Sequence, residues 1–255
     1  MELFYKEYGA GHPLIILHGL LGASGNWHTL ASRAFAKHFH VFAVDQRNHG
    51  RSPHDPVHDY PAMANDLAAF LDLHGLASAH VMGHSMGGKT AMQFALTRPR
   101  RVDRLVVVDI APKRYPPWQI HLFDALRNLD LNAFRSRKEI DAALARRVPS
   151  TAVRQFLLKN LRTEPHDGFS WIVNLEALYR NYDRLSDDIP ATGTFEGPTL
   201  FVRGGDSPYI TDEDLPLIRR RFPRARLVTI PGAGHWVHAD APEAFARIVI
   251  DFLTE

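Results

Sequence analysis

The sequence predicts an α/β protein: a mostly parallel central sheet flanked by helices, with a helical cap inserted before the penultimate strand. Three observations carry this. Short, wholly apolar runs such as Pro13-Leu14-Ile15-Ile16-Leu17 and Leu105-Val106-Val107-Val108 read as strands covered on both faces. These runs alternate with segments of helical period, which argues for a parallel sheet with right-handed crossovers. The alternation is interrupted once, from Pro112 to about Pro190, by helix-like stretches without an obvious core strand, and then resumes.

In chain order, Leu3 to Tyr8 reads as a first strand and Gly9-Ala10-Gly11 as a turn. Pro13 to Leu17 is the second strand, and it runs into His18-Gly19-Leu20-Leu21-Gly22. Trp27, Leu30, Ala31, Ala34 and Phe35 recur at helical spacing. Val41 to Val44 is a buried strand ending at the polar loop Asp45 to Ser52. Met63, Leu67, Phe70 and Leu71 mark a helix that stops near Gly75, and a strand over Ala79 to Met82 leads into Gly83-His84-Ser85-Met86-Gly87-Gly88-Lys89-Thr90 and a further helix. The strand over Leu105 to Asp109 closes this half.

Residues 1–111 and 191–255 are expected to form the core and 112–190 the cap, an insertion rather than an independent domain. Within the cap one stripe is Ile120, Phe123, Leu126 and Leu129, and a second is Val153, Phe156, Leu157 and Leu161. A third follows Trp171-Ile172-Val173. Thr199 to Val202 and Arg226 to Ile230 restore the sheet. Asp240-Ala241-Pro242-Glu243 reads as a capping box with proline in the first turn, opening a terminal helix with Phe245, Ile248, Val249 and Phe252 inward.

The bulk numbers exclude several classes. The 255 residues are 45% hydrophobic and 23% charged, with a formal net charge of only +2, so nothing points to nucleic acid. The chain has no cysteine, which removes disulfides, thiolate metal sites and a cysteine nucleophile. No apolar run approaches the roughly 18 residues of a membrane span, and no signal-like segment precedes the first strand, so a cytoplasmic protein without stable membrane insertion is expected. The pairs His38/His40 and His54/His58 have no acidic partner at ligand spacing, and no metal or cofactor is expected. Oligomeric state is not legible.

The stretch at Ser85 fits two chemistries. Gly83-x-Ser85-x-Gly87 between a strand and a helix is a nucleophile elbow. Gly83-x-x-x-x-Gly88-Lys89-Thr90 also fits a phosphate-binding loop, with Asp109 placed as a magnesium ligand would be. The second reading leaves His18-Gly19-Leu20 and Gly232-Ala233-Gly234-His235 unexplained. The first uses them all. Ser85 attacks, His235 is the base, and the Leu20 and Met86 amides are the oxyanion donors. The order serine, acid, histidine is that of α/β-hydrolases. The acid usually lies three residues past the glycine ending the strand after the cap, but counting from Gly204 reaches Ser207. Asp206 is one residue off, and Asp109 ends the strand before the cap.

Four further motifs stand beside Gly-His-Ser-Met-Gly-Gly-Lys. They are Asp-x-Arg-Asn-His-Gly-x-Ser-Pro from Asp45, Val-Val-Asp-Ile-Ala-Pro from Val107, Arg-Gln-Phe-Leu-Leu-x-Asn-Leu from Arg154, and Gly-Ala-Gly-His-Trp-Val-His-Ala from Gly232. With these the chain resembles, over nearly its whole length, the esterase family that includes the enterobacterial YbfF-type esterases and mammalian α/β-hydrolase domain-containing protein 11. The resemblance implies an α/β-hydrolase fold and esterase or thioesterase activity on small acyl groups. It implies Asp109 as the acid, with Ser207 as an auxiliary member of its hydrogen-bond network. Family members tend to carry asparagine where this chain has Asp206, which could compete for His235.

The expected activity is therefore hydrolysis of short- to medium-chain carboxylic esters or thioesters through an acyl-enzyme intermediate, with a small-molecule acyl ester or thioester as the partner. Alternatives on the same triad are C–C bond hydrolysis or peroxyacid formation. A dehalogenase or epoxide hydrolase would need aspartate at position 85. From other classes stand a non-catalytic binding protein of this fold and the nucleotide binder. His18 is expected to shape the oxyanion loop, and Trp236, Tyr209, Phe123 and Trp171, with Trp118, are candidates for an acyl pocket. His84 is expected to pack beside the elbow, Arg47, Asn48 and His49 to brace a loop near the site, and Lys89 to lie on the helix surface or in a salt bridge.

Overall fold

The structure, a computed structural model, describes residues 1–165 and 168–255. Seven strands form the central sheet: β1 (Tyr5–Tyr8), β2 (Pro13–Leu17), β3 (His40–Val44), β4 (Ala79–His84), β5 (Val102–Val108), β8 (Thr199–Gly204) and β9 (Ala225–Ile230). Their order is β1-β3-β2-β4-β5-β8-β9, with only β1 antiparallel to its neighbour. The short strands β6 (Leu161–Glu164) and β7 (Gly168–Trp171) pair separately as a hairpin.

Apolar runs become strands because each has two dry faces. Ile15 and Leu17 face one core with Phe42, Val44 and Val81. Leu14 and Ile16 face the other with Val41, Ala43 and Met82. The first face is covered by α2 (Tyr60–Leu73), α3 (Met86–Thr97) and α9 (Leu215–Arg221). The second is covered by α1 (His28–Arg33) and α11 (Pro242–Thr254). From α11, Phe245, Val249, Phe252 and Leu253 enter that core, each contributing about 1.5–3 kcal/mol by burial. Between them and the carboxyl end of β9 lies the single turn α10 (Val237–Asp240).

Between β5 and β8 the chain forms α4 (Ile120–Arg127), α5 (Arg137–Ala145), α6 (Thr151–Leu158), the β6–β7 hairpin, α7 (Leu175–Arg180) and α8 (Tyr182–Ser186). These share a separate apolar core that includes Phe123, Leu126, Ile140, Leu144, Leu157 and Leu178, joined from below by Leu21. Thus Leu161 and Trp171, expected in or near helical stripes, lie on strands instead. Leu161 is buried while Arg162 and Thr163 are both exposed, so this four-residue strand shows no alternation that could announce it. Among the described residues no helix is long and apolar enough to cross a membrane.

The capping box expected at Asp240 is not made. Asp240 is the last residue of α10, and its carboxylate accepts the Gly234 N–H at 2.8 Å. The helix α11 opens at Pro242 without a side-chain cap: its N-cap residue is Ala241, which has no side-chain acceptor to offer, and proline removes one of the unpaired N–H groups.

Candidate active site

The carboxyl ends of β2, β4, β5 and β8 gather the site, as expected at the crevice of a parallel sheet. Ser85 joins β4 to α3 at φ 54°, a left-handed conformation that costs a non-glycine residue of order 1–3 kcal/mol. Glycine is required on either side: a Cβ on Gly83 would collide with the Gly87 carbonyl, and one on Gly87 with the Leu17 and His18 carbonyls. The turn therefore stays sharp, and Met86, first residue of α3, keeps its N–H free of any intrahelical bond.

Asp109 ends β5 at φ 52°, the second strained residue of the site, and is fully buried. Its carboxylate has three donors: His235 Nδ1–H at 2.8 Å, Gly204 N–H at 3.1 Å and the Ser207 hydroxyl. Asp206 is exposed, and its backbone N–H is bonded to the Ala233 carbonyl at 2.9 Å. No hydrogen bond joins its carboxylate to His235 among the described residues. With Nδ1 committed to Asp109, His235 has Nε2 left for a substrate or for Ser85, and both residues line one cavity.

Two buried histidines shape the turn after β2. His18 donates from Nδ1 to the Gly19 carbonyl at 2.8 Å and accepts the Gln46 N–H on Nε2 at 2.9 Å. His49 donates from Nδ1 to the Arg47 carbonyl at 3.0 Å and accepts the Leu21 N–H on Nε2 at 3.1 Å. Each must be neutral to accept, and burial pushes both below the ordinary histidine value. The Leu21 and Gly22 amides are thereby occupied, the latter by the Gly19 carbonyl, while that of Leu20 has no acceptor among the described residues. Arg47 is held by Asp66 at 2.6 and 2.9 Å, and Asn48 bonds Asn174 of the cap.

His84 does more than pack beside the elbow. Its Nε2–H donates to the His235 carbonyl at 2.8 Å, and a Cβ on Gly19 would press on its ring. It thus touches both the turn after β2 and the His235 loop. Burial holds it well below the ordinary histidine value, so it is neutral. Nothing in the sequence beyond its place next to Ser85 signals this bond.

The cavity has a volume of about 580 Å³ and is lined in part by the segment between β5 and β8. Of the candidate wall residues, Trp236, Tyr209 and His18 line it. Tyr209 stacks on the His235 ring at 3.8 Å and 15°, and Trp236 meets Phe156 at 5.5 Å. Phe123 does not line it. Phe123 is fully buried in the cap core against Tyr182, because its stripe faces the other cap helices. Trp171 lines a different hollow with Phe169 and Leu129. Sequence reasoning missed Leu122, Val153 and Phe156 as wall residues. The last two belong to a recognised stripe, but spacing cannot say that they face the cavity while Leu157 faces the cap core.

Lys89 is not on the helix surface, and among the described residues it makes no salt bridge. It is 1% exposed and donates from Nζ to the Asp187 carbonyl, with the Ser186 carbonyl at 3.5 Å. Burial lowers it to about 8. A lysine so committed is not available to a phosphate, and Asp109, surrounded by its three donors, is not available to magnesium. One histidine–aspartate group approaches metal-ligand spacing among the described residues: His12, His80 and Asp103, within 4.8 Å of one another at the opposite end of the sheet.

A family model described as "alpha/beta hydrolase fold" matches residues 12–242. The chain is 41% identical to the mouse (Mus musculus) "sn-1-specific diacylglycerol lipase ABHD11" over 94% of this chain and 80% of that protein. It is 37% identical to "Esterase YbfF" of Escherichia coli K12, over 95% of this chain and 93% of that protein. Among solved structures, "Marine microorganism esterase" superposes with a TM-score of 0.96 at 41% identity, covering 98% of this chain and 99% of the other. The chain belongs to the α/β-hydrolase fold family, and its relatives in that family include proteins named as esterases and lipases.

Proposed function

We propose that this protein is a serine esterase that hydrolyses short- to medium-chain carboxylic esters or thioesters through an acyl-enzyme intermediate. The observation that carries the proposal is the continuous arrangement from Asp109 through His235 to the cavity shared with Ser85. Ser85 Oγ attacks the acyl carbon and gives its proton to His235 Nε2. The bond from acyl carbon to leaving oxygen or sulfur breaks, and that atom takes the proton back from His235. Water then repeats the sequence on the acyl-enzyme, releasing a carboxylic acid and restoring Ser85. Asp109 fixes the His235 ring with Nε2 outward and stabilises the imidazolium, supported by Ser207 and Gly204. The Leu20 and Met86 amides would hold the oxyanion, a contribution of about 3–4 kcal/mol per donor in such sites. Residues 112–190 act as the cap that roofs the cavity.

The named activities of the relatives favour ester bonds over other chemistry on this arrangement. The test is labelling by a fluorophosphonate probe, followed by turnover of p-nitrophenyl esters. Wild type should be labelled and active, and Ser85→Ala should be neither. Labelling of Ser85→Ala equal to that of wild type would defeat the proposal.

A further inference from the structure

Ser85 opens into two cavities of very different size. The large one, about 580 Å³, is walled by Leu122, Val153, Phe156 and Trp236 and includes His235. The small one, about 50 Å³, is walled by Met86, Lys89, Ile110, Tyr115, Trp118 and Leu185, and His235 stands outside it. Leu20 and Tyr209 border both. Tyr209, stacked flat on the His235 ring, is therefore part of the wall between them.

Catalytic chemistry assigns the two. The oxyanion must sit between the Leu20 and Met86 amides, which fixes the acyl carbon over Ser85. The leaving atom must then be within hydrogen-bond reach of His235 Nε2, because it takes its proton there. Only the large cavity offers His235, so the leaving group lies in it. The acyl substituent points the other way, past Met86 into the small pocket. The small pocket offers less than a tenth of the space of the large one, about 50 against 580 Å³, so it suits the smaller half of the ester. A cavity near 580 Å³ is in the range that encloses a drug-sized molecule.

We infer that this protein acts on esters or thioesters of short acyl groups whose alcohol or thiol is large and apolar: the acyl chain enters the small pocket beside Met86, and the leaving group fills the large cavity. This rests on the serine-esterase reading above. Trp118 sets the limit on acyl length: with Pro116 it forms the exposed side of the small pocket's wall, and its ring stands edge-on to Tyr209 at 5.3 Å.

The test varies the two halves of the ester separately. With p-nitrophenol fixed, kcat/KM should fall at least about tenfold from butanoate to octanoate, as for a pocket that cannot take added methylenes. With acetate fixed, kcat/KM should rise at least about tenfold from ethyl to hexyl and decyl esters, whose alcohols are alike in acidity. Trp118→Ala should raise the octanoate-to-butanoate ratio at least fivefold and leave the decyl-to-ethyl ratio within twofold. Octanoate turned over as well as butanoate by wild type, fatty acid release from 1,2-dioctanoylglycerol at the butanoate rate, or an unchanged chain-length ratio in Trp118→Ala overturns the assignment. If those results come with fluorophosphonate labelling of Ser85, the esterase reading stands and only the assignment of the pockets falls. If no ester is cleaved and Ser85 is not labelled, both fall.

Discussion

Replacing Asp109 by asparagine separates the two candidate acids. The buried Asp109 carboxylate accepts from His235 Nδ1–H at 2.8 Å, from Gly204 N–H at 3.1 Å and from Ser207. Asparagine conserves the volume and one acceptor oxygen, which remains for Gly204. The second position becomes an NH₂ group facing His235. To meet it, the ring must accept on Nδ1 and carry its proton on Nε2, the nitrogen that in the proposed mechanism takes the proton of Ser85. The same change in a protease triad of unrelated fold lowers kcat about 10⁴-fold. For Asp109→Asn we expect a loss of about 10³–10⁴, equivalent to about 4–5.5 kcal/mol of barrier, with KM within about threefold. Asp206→Asn should change kcat by less than threefold, since Asp206 is exposed and bonds the loop through its backbone. Both variants are to be assayed with p-nitrophenyl butanoate, with thermal unfolding confirming that each is folded. A folded Asp109→Asn of near-normal kcat, beside a dead Asp206→Asn, would refute the reasoning.

Three further outcomes follow from burial. His58 and His238 are buried and lowered to about 3, by desolvation first, then by Arg47 for His58 and by His235 and Lys159 for His238. Folded values below the unfolded 6.5 mean that the unfolded chain binds the extra protons, so stability is lost as pH falls below about 6.5. The two should cost about 4 kcal/mol together between pH 7.5 and pH 5, readable by urea unfolding; a loss under 1 kcal/mol would contradict their neutral burial. Lys89 is lowered to about 8 by burial, so the unfolded chain holds more protons between about 8 and 10.5, and stability rises with pH there. The stability of wild type minus that of Lys89→Met should grow by up to about 3 kcal/mol from pH 7 to pH 10, and a flat difference would show that the amine is not desolvated. Finally, Phe123→Ala should cost about 3–5 kcal/mol of stability with little change in KM, while Tyr209→Ala should lower kcat more than stability, a split visible by comparing urea midpoints with kinetics at low temperature.

The parallel sheet was legible because β2, β3, β4, β5 and β8 are dry on both faces, and a continuous apolar run has few other uses. The tight turn at Ser85 was legible because glycine is needed on either side of it for contacts that no Cβ allows. What escaped depended on partners distant in sequence. Helical spacing placed Phe123 and Phe156 on inward faces, but the cap has two insides: its own core and the cavity roof. The β6–β7 hairpin offers only four residues per strand, too few for alternation to outweigh the neighbouring helical stripes. Asp240 looked like a helix cap because the sequence sees Pro242 two positions on; its carboxylate serves Gly234 in the loop that presents His235.

Lys89 makes the same point about the pattern at Ser85. A phosphate-binding loop and a nucleophile elbow demand the same glycines, since both bring a helix N-terminus close to a strand end. What differs is where the lysine goes. A phosphate site needs an ammonium directed back over the loop and able to reach solvent-borne anions. Here every residue of α3 from Met86 to Leu96 is buried, because the helix is enclosed by the sheet, by α2 and by the chain around Ser186. The Lys89 ammonium is spent on carbonyls of that chain. Its partners lie 97 and 98 residues away in sequence, just before the strand that supplies Gly204 and leads to Ser207. The residue that made the motif ambiguous is therefore a strut between α3 and the returning chain. Removing its charge should disturb the small pocket that Lys89 borders before it touches the proton transfers at Ser85.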